Sequence, residues 1–264
     1  MAPQADIPFI DPKRKVSNFR PFKAWKHFRN LVADKEDTEQ VFHIIDSLRG
    51  SGFVKRAERF WNTDYGRKAL EQNEYLPDIL DDHDTLKKLP AGTVGRAYVD
   101  FMEREGLTAA GLVAEFERFN GQMPQYDDIV ERYSNRSRDI HDMYHVLTGY
   151  GRDALGEQCV LAFTHSQSPN LGILFIAWAG GREIMPSVPK GTPVYAAIRE
   201  AQQSGKHAGN IVEQDIIKLL SEPLAEARKR LNIPEPVKYQ EAHQMIRAGG
   251  VDPFDLLGKN MVAA

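Results

Sequence analysis

The chain has 264 residues, 42% of them hydrophobic, which is enough to bury one large core, and a single domain is expected. A formal net charge of −3 lacks the basic excess of general nucleic-acid binders, and one cysteine rules out an internal disulfide. Residues Met1 to Asp11 show no import signal, and the longest apolar run, Leu171 to Gly180, covers about half of the ~20 residues that span a bilayer, so an integral membrane protein is excluded.

The first segment is a basic arm over residues 1–35. From Pro12 to Ala33 it carries seven Lys or Arg and no acid, with Phe19, Phe22, Trp25 and Phe28 at every third position. Such a helix can lie on an anionic membrane surface, or its aromatics can cap the core while the charges face water. Next, Val41, Ile44, Ile45 and Leu48 form an apolar stripe that ends at Gly50. Asp81-Asp82-His83-Asp84 is expected to be a solvated acidic turn. Val94, Ala97, Tyr98, Phe101 and Met102 make a second stripe that ends at Gly106, and Thr108 can cap a helix bearing Leu112, Val113, Phe116 and Phe119. One helix is expected from about Tyr126 to Thr148, and another from about Asp153 to Ser166. Leu171, Ile173, Leu174, Phe175, Ile176 and Trp178 are apolar all round a helix, which calls for burial in the core, at an interface or along a greasy ligand tunnel. Prolines 186, 189 and 193 make Ile184 to Pro193 a loop. Helices over Tyr195–Gln203 and Ile211–Leu231, the second bent at Pro223, complete a domain of residues 36–235, with a tail over 236–264. No stretch alternates at period two, so the fold class is all-α.

The chemistry is concentrated in His141-Asp142-Met143-Tyr144-His145, followed twelve residues after the second histidine by Glu157. Histidines four apart share a helix face, so both imidazoles can meet one cation, with Asp142 reaching in from the edge. On an unbroken helix Glu157 would lie roughly 18 Å further on, at ~1.5 Å per residue. The Gly149-Tyr150-Gly151 break lets a second, antiparallel helix return it opposite the pair. His141, Asp142, His145 and Glu157 are therefore the expected metal and catalytic residues, a set acceptable to zinc, iron or manganese. The competing structural reading is a pair of partly buried histidines satisfied by Asp139 and Asp142. Asp142 is shorter than the general-base glutamate of His-Glu-x-x-His hydrolases, which argues against peptidase chemistry. Cys159 reads as a buried free thiol. Tyr98 fits its apolar stripe, whereas Arg96 could reach a carboxylate.

With these residues in place, the chain resembles the Coq4 family of ubiquinone (coenzyme Q) biosynthesis proteins. The resemblance rests on His141-Asp142, His145, Gly149 and Gly156-Glu157, preceded by Arg132-Tyr133. It rests also on the block Leu89-Pro90-Ala91-Gly92-Thr93-Val94-Gly95-Arg96-Ala97-Tyr98, with Phe101-Met102 and Gly106-Leu107, and on Leu231-Asn232-Ile233-Pro234. It covers roughly Trp61 to Pro234. The resemblance implies a helical homodimer with a divalent cation, usually zinc, on His141, Asp142, His145 and Glu157. It also implies peripheral association with the quinone-containing membrane, here the cytoplasmic face of the cell membrane, and assembly with other ubiquinone enzymes. The implied reaction is loss of the C1 carboxyl from a polyprenylated hydroxybenzoate, with or without hydroxylation at that carbon. Arg96 and Tyr98 would then meet the head group, and Leu171, Leu174, Phe175 and Trp178 would line an apolar passage for the isoprenoid. Two other classes remain open: a lipid-binding scaffold without turnover, and a metal phosphohydrolase using His83-Asp84 as a second dyad.

Overall fold

The structure is a computed structural model, described here over residues 7–15, 19–33, 39–120 and 126–256. Residues 16–18 and 34–35 of the arm, the Phe119 side chain and residues 257–264 of the tail lie outside that description. The described residues form sixteen α-helices and no strand, in agreement with the all-α expectation. In chain order these are α1 (Pro21–Ala33), α2 (Glu39–Ser47), α3 (Gly52–Trp61), α4 (Asp64–Glu71), α5 (Leu76–Leu80), α6 (His83–Leu86), α7 (Val94–Glu105) and α8 (Ala109–Asn120). They continue with α9 (Ile129–Asp139), α10 (His141–Thr148), α11 (Ala154–Gln167), α12 (Leu171–Ile184), α13 (Val194–His207), α14 (Ile216–Leu220), α15 (Leu224–Arg230) and α16 (Val237–Ala248). Two compact units share them.

The first unit comprises Met1–Val16, Ser51–Met143 and Val212–Leu224. Helix α7 is one of its most buried elements. Thr93 caps it by accepting from the Arg96 N–H, Gly106 ends it in the left-handed region at φ 69°, and Val94, Tyr98, Val99, Phe101 and Met102 are buried. Helix α14 packs closely because α7 presents Gly95 to it, where a Cβ would stand 3.0 Å from the Leu220 carbonyl oxygen. The acidic turn proves to be capping machinery. The Asp81 carboxylate accepts from the Ala109 and Ala110 N–H groups at 2.6 and 2.8 Å, and Asp82 caps α6 through Thr85 N–H. Two arginines are buried here with their donors matched. Arg14 meets Asp128 and Glu131, and Arg136 donates to the Val212 and Gln214 carbonyls and to Glu74.

The single helix expected from Tyr126 to Thr148 is two. Helix α9 ends at Asp139, Ile140 leaves helical geometry at φ −96°, ψ 12°, and α10 begins at His141. Just before the break, Ser137 Oγ donates back to the Tyr133 carbonyl at 2.8 Å. The helix expected over Ile211–Leu231 is likewise divided, into α14 and α15. Pro223 lacks an N–H, and the chain there turns so that Val94 N–H donates to the Glu222 carbonyl.

The second unit comprises Ser17–Gly50, Tyr144–Ile211 and Ala225–Ala264. Helix α11 is its axis, packed by α12 and α13, with ten of its residues buried from Ala154 to Gln167. Gly205 brings α13 backbone against it, since a Cβ there would lie 2.3 Å from the Phe163 carbonyl oxygen. Ala24, Phe28 and Leu31 of α1 pack on Val41, Ile44 and Leu48 of the α2 region and on Ile176 of α12. Phe19, Phe22 and Trp25 project outward, at 69%, 89% and 54% exposure. The arm thus has both faces that its sequence offered. The tail beyond residue 235 is integrated rather than appended: α16 packs on α13 and buries Tyr239, Ala242, His243 and Ile246. Its apolar positions at i, i+3, i+4 and i+7 account for this.

Candidate metal centre

His141 opens α10 and His145 follows one turn later, so both imidazoles leave the same helix face. Gly149, at φ 79°, terminates the helix and donates its N–H to the His145 carbonyl. The chain then reverses through Tyr150, Gly151 and Arg152 to Asp153, which caps α11 by accepting from the Leu155 and Gly156 N–H groups. Glu157 occupies the first turn of α11. Only glycine fits at 156, because a Cβ would lie 2.0 Å from the Gly151 carbonyl oxygen. The turn therefore closes tightly enough to return Glu157 to the histidines.

One ligand atom from each of His141, His145 and Glu157 lies within 4.8 Å of the others, and His145 Nε2 stands 3.5 Å from Glu157 Oε1. Tetrahedral ligands about 2.1 Å from an ion sit ~3.4 Å apart, a separation that the His145–Glu157 pair matches. The tautomer fits as well. His145 Nδ1 lies 3.0 Å from the Tyr150 carbonyl, which can only accept, so Nδ1 carries the proton and Nε2 presents a lone pair to the centre. Three protein donors would leave a bound zinc ion a position for water or substrate, as catalytic rather than structural sites do.

Asp142 stands outside this trio. A helix turns about 100° per residue, which carries the side chain after His141 off the His141 and His145 face. Asp142 is buried, and its charge reaches Tyr98, whose hydroxyl pKa is raised first by burial and then by that carboxylate. Tyr98 itself is fully buried. Arg96 donates to the Lys87 carbonyl at 2.6 Å and approaches Asp100 at 3.8 Å, so its polar contacts are with its own neighbourhood. The α12 residues divide. Phe175 meets Phe28 edge-on at 4.9 Å, whereas Leu171 is 53% exposed and Trp178 stacks on Tyr195 at the surface, so α12 is not buried all round. Alanine, glycine and isoleucine on its other side supply the buried face.

The sequence reading missed the supports of the centre. Arg152 Nε lies 3.7 Å from Glu157 Oε1, the same oxygen that faces His145. Asp153 also receives the Tyr239 hydroxyl, and His243 Nε2 lies 3.0 Å from it. The Tyr239 hydroxyl in turn accepts from the Gly151 N–H at 2.9 Å and has its pKa raised by burial and by Asp153. Tyr239 and His243, four apart in an apolar-periodic stretch, mark a buried polar pair on that segment, but the spacing does not name its partner. Cys159 is buried and free as expected, and burial pushes its thiol pKa up.

Fold and site together define an all-helical protein with a centre of two imidazoles and one carboxylate that could hold a divalent cation. The family model described as coenzyme Q (ubiquinone) biosynthesis protein Coq4 matches residues 47–237, and the chain belongs to that family. Ubiquinone biosynthesis protein COQ4, mitochondrial, of Meyerozyma guilliermondii is 26% identical over 78% of this chain and 64% of its own length. Its namesake in Penicillium rubens is 26% identical over 69% of this chain and 61% of its own length. The chain thus spans less than two thirds of these curated relatives. A crystal structure from Nostoc punctiforme PCC 73102 shares the fold, with a TM-score of 0.57 at 20% identity, covering 83% of this chain and 100% of that one. No helix among the described residues is long and apolar enough to cross a membrane.

Proposed function

We propose that this protein acts in ubiquinone biosynthesis as a metal-dependent enzyme that removes the C1 carboxyl of a polyprenylated 4-hydroxybenzoate. The observation that carries the reading is the convergence of His141, His145 and Glu157 in a chain of the Coq4 family. A divalent cation there, zinc foremost and iron or manganese as alternatives, would supply Lewis-acid stabilisation of charge on the substrate's oxygens. The protein's own contribution is orientation. The Tyr150 carbonyl fixes the His145 ring, and Gly156 fixes the approach of Glu157. In the simple form of the reaction the C1–carboxyl bond breaks, its electron pair stays on the ring, and a proton adds at C1. In the oxidative form the carboxyl leaves as carbon dioxide, one atom of dioxygen becomes the C1 hydroxyl, and the other is reduced to water by two electrons from an added external reductant, chemistry that favours a redox-active metal.

We place the protein on an anionic membrane face, as a homodimer among other enzymes of the pathway. Outward Phe19, Phe22 and Trp25 beside Arg20, Lys26 and Arg29, all exposed, support the membrane contact. The decisive experiment supplies substrate labelled with ¹³C in the carboxyl to metal-loaded protein. Labelled carbon dioxide is expected, abolished in Glu157→Gln, and ¹⁸O₂ distinguishes hydroxyl from hydrogen at C1. Absence of labelled gas, both alone and with the partner enzymes present, leaves the non-catalytic lipid scaffold. Phosphate release from a prenyl phosphate would instead support the phosphohydrolase class.

A further inference from the structure

Among the buried arginines, Arg152 is the exception. Arg14 and Arg136, with side chains 4% and 5% exposed, direct their guanidinium groups at carboxylates and carbonyls within 3.0 Å. Arg152 is equally buried, its side chain 5% exposed, yet its Nη1 has no hydrogen-bond partner. Its charge partner among the described residues is Glu157 Oε1, 3.7 Å from Nε, beyond hydrogen-bond reach. A guanidinium carries five donors in a rigid fork, and burying it with donors unmatched is unfavourable unless something else completes it.

The position says what that is. Glu157 Oε1 faces both Arg152 Nε and His145 Nε2, so the guanidinium borders the centre itself. With a divalent cation held by His141, His145 and Glu157, two positive groups would stand side by side, sharing one carboxylate that the cation engages. That arrangement attracts a further anion, because one carboxylate is shared between two positive groups. A bidentate oxyanion satisfies both, with one oxygen toward the cation and the other toward the fork of Arg152. We infer that Arg152 is a substrate-binding residue that anchors the carboxylate of the aromatic acid beside the metal centre. The inference rests on the proposed function and adds the group that distinguishes an acid from its neutral product.

The test uses zinc-loaded protein and two soluble probes of equal shape, 3-prenyl-4-hydroxybenzoate and 3-prenyl-4-hydroxybenzamide, titrated by calorimetry. Wild type should prefer the carboxylate by roughly 10- to 100-fold, the range of a charge-assisted hydrogen-bonded pair. Arg152→Gln should lose most of that preference while keeping its zinc and its amide affinity. Arg152→Lys, which keeps the charge without the fork, should fall between them, and it carries the test if the glutamine variant does not fold. Carboxylate preference undiminished in both variants overturns the assignment while leaving the proposed function standing. Wild type indifferent to the carboxylate overturns both. A prenyl monophosphate that binds more tightly than the benzoate, with the same Arg152 dependence, overturns the carboxylate in favour of a phosphate.

Discussion

Replacing Asp153 by alanine tests whether α16 holds the metal centre in register. The substitution removes an N-cap that accepts from both Leu155 and Gly156, a loss of about 1 kcal/mol. It also strands the Tyr239 hydroxyl, which is buried and donates to this carboxylate, at a further ~1–3 kcal/mol. The sum is about 2–4 kcal/mol before any contribution from His243. Asparagine caps as well as aspartate, so Asp153→Asn should lose only ~1–2 kcal/mol. Urea unfolding of the metal-free protein reads both values. Zinc competition against a chelator reads the second effect. The Tyr150 carbonyl that orients His145 rides on the loop Asp153 pins, so zinc should bind about 10- to 100-fold more weakly in the alanine variant. A loss of stability below ~1 kcal/mol, or unchanged zinc affinity in a variant that is destabilised as calculated, would refute the chain of support from α16 to His145.

Other outcomes follow from separate features. His145→Ala should reduce bound metal from about one ion per chain to a small fraction by elemental analysis, and equal content in the two proteins would sink the site. Burial alone would raise the Asp128 pKa, but Arg14 and the Asp11 and Glu131 N–H groups outweigh it and hold the carboxyl below its usual range. Stability from that pair is therefore fully present above the unfolded carboxyl value near ~4 and lost as pH falls through the lower folded value. Arg14→Gln should cost about 3 kcal/mol at pH 7, as expected for a broken buried pair, and flatten the acid limb of the stability profile. Phe22→Ser with Trp25→Ser should weaken sedimentation with anionic liposomes. Binding of the unaltered protein should also fall as salt screens the basic face of α1.

The periodic stripes of α2, α7 and α8 were readable because burial imposes 3.6-residue spacing directly on sequence. The convergence of His141, His145 and Glu157 was readable for a related reason, since residues four apart share a helix face and a glycine break lets the next helix return. Asp142 was harder. Adjacency in sequence suggested a ligand, whereas adjacency on a helix separates side chains by about 100°. The break at Ile140 was hidden because the apolar pattern runs through it. Arg152, Tyr239 and His243 were not identified because their significance is tertiary. Nothing local to α16 signals that it completes a turn more than eighty residues earlier, as the Tyr239 bond to Asp153 does.

That long separation orders events during synthesis. Residues emerge from the ribosome N-terminal first, and α10, α11 and the turn between them are exposed well before α16 is available to brace them. Until then the Gly151 N–H lacks its Tyr239 acceptor, and the loop carrying the Tyr150 carbonyl is held only by its local caps. Contacts this distant along the chain form late, after their loop-closure entropy has been offset. With the centre filled as proposed, acquisition of the cation would be a late step in maturation, and a nascent chain interrupted before α16 would carry both histidines and the glutamate yet bind metal poorly.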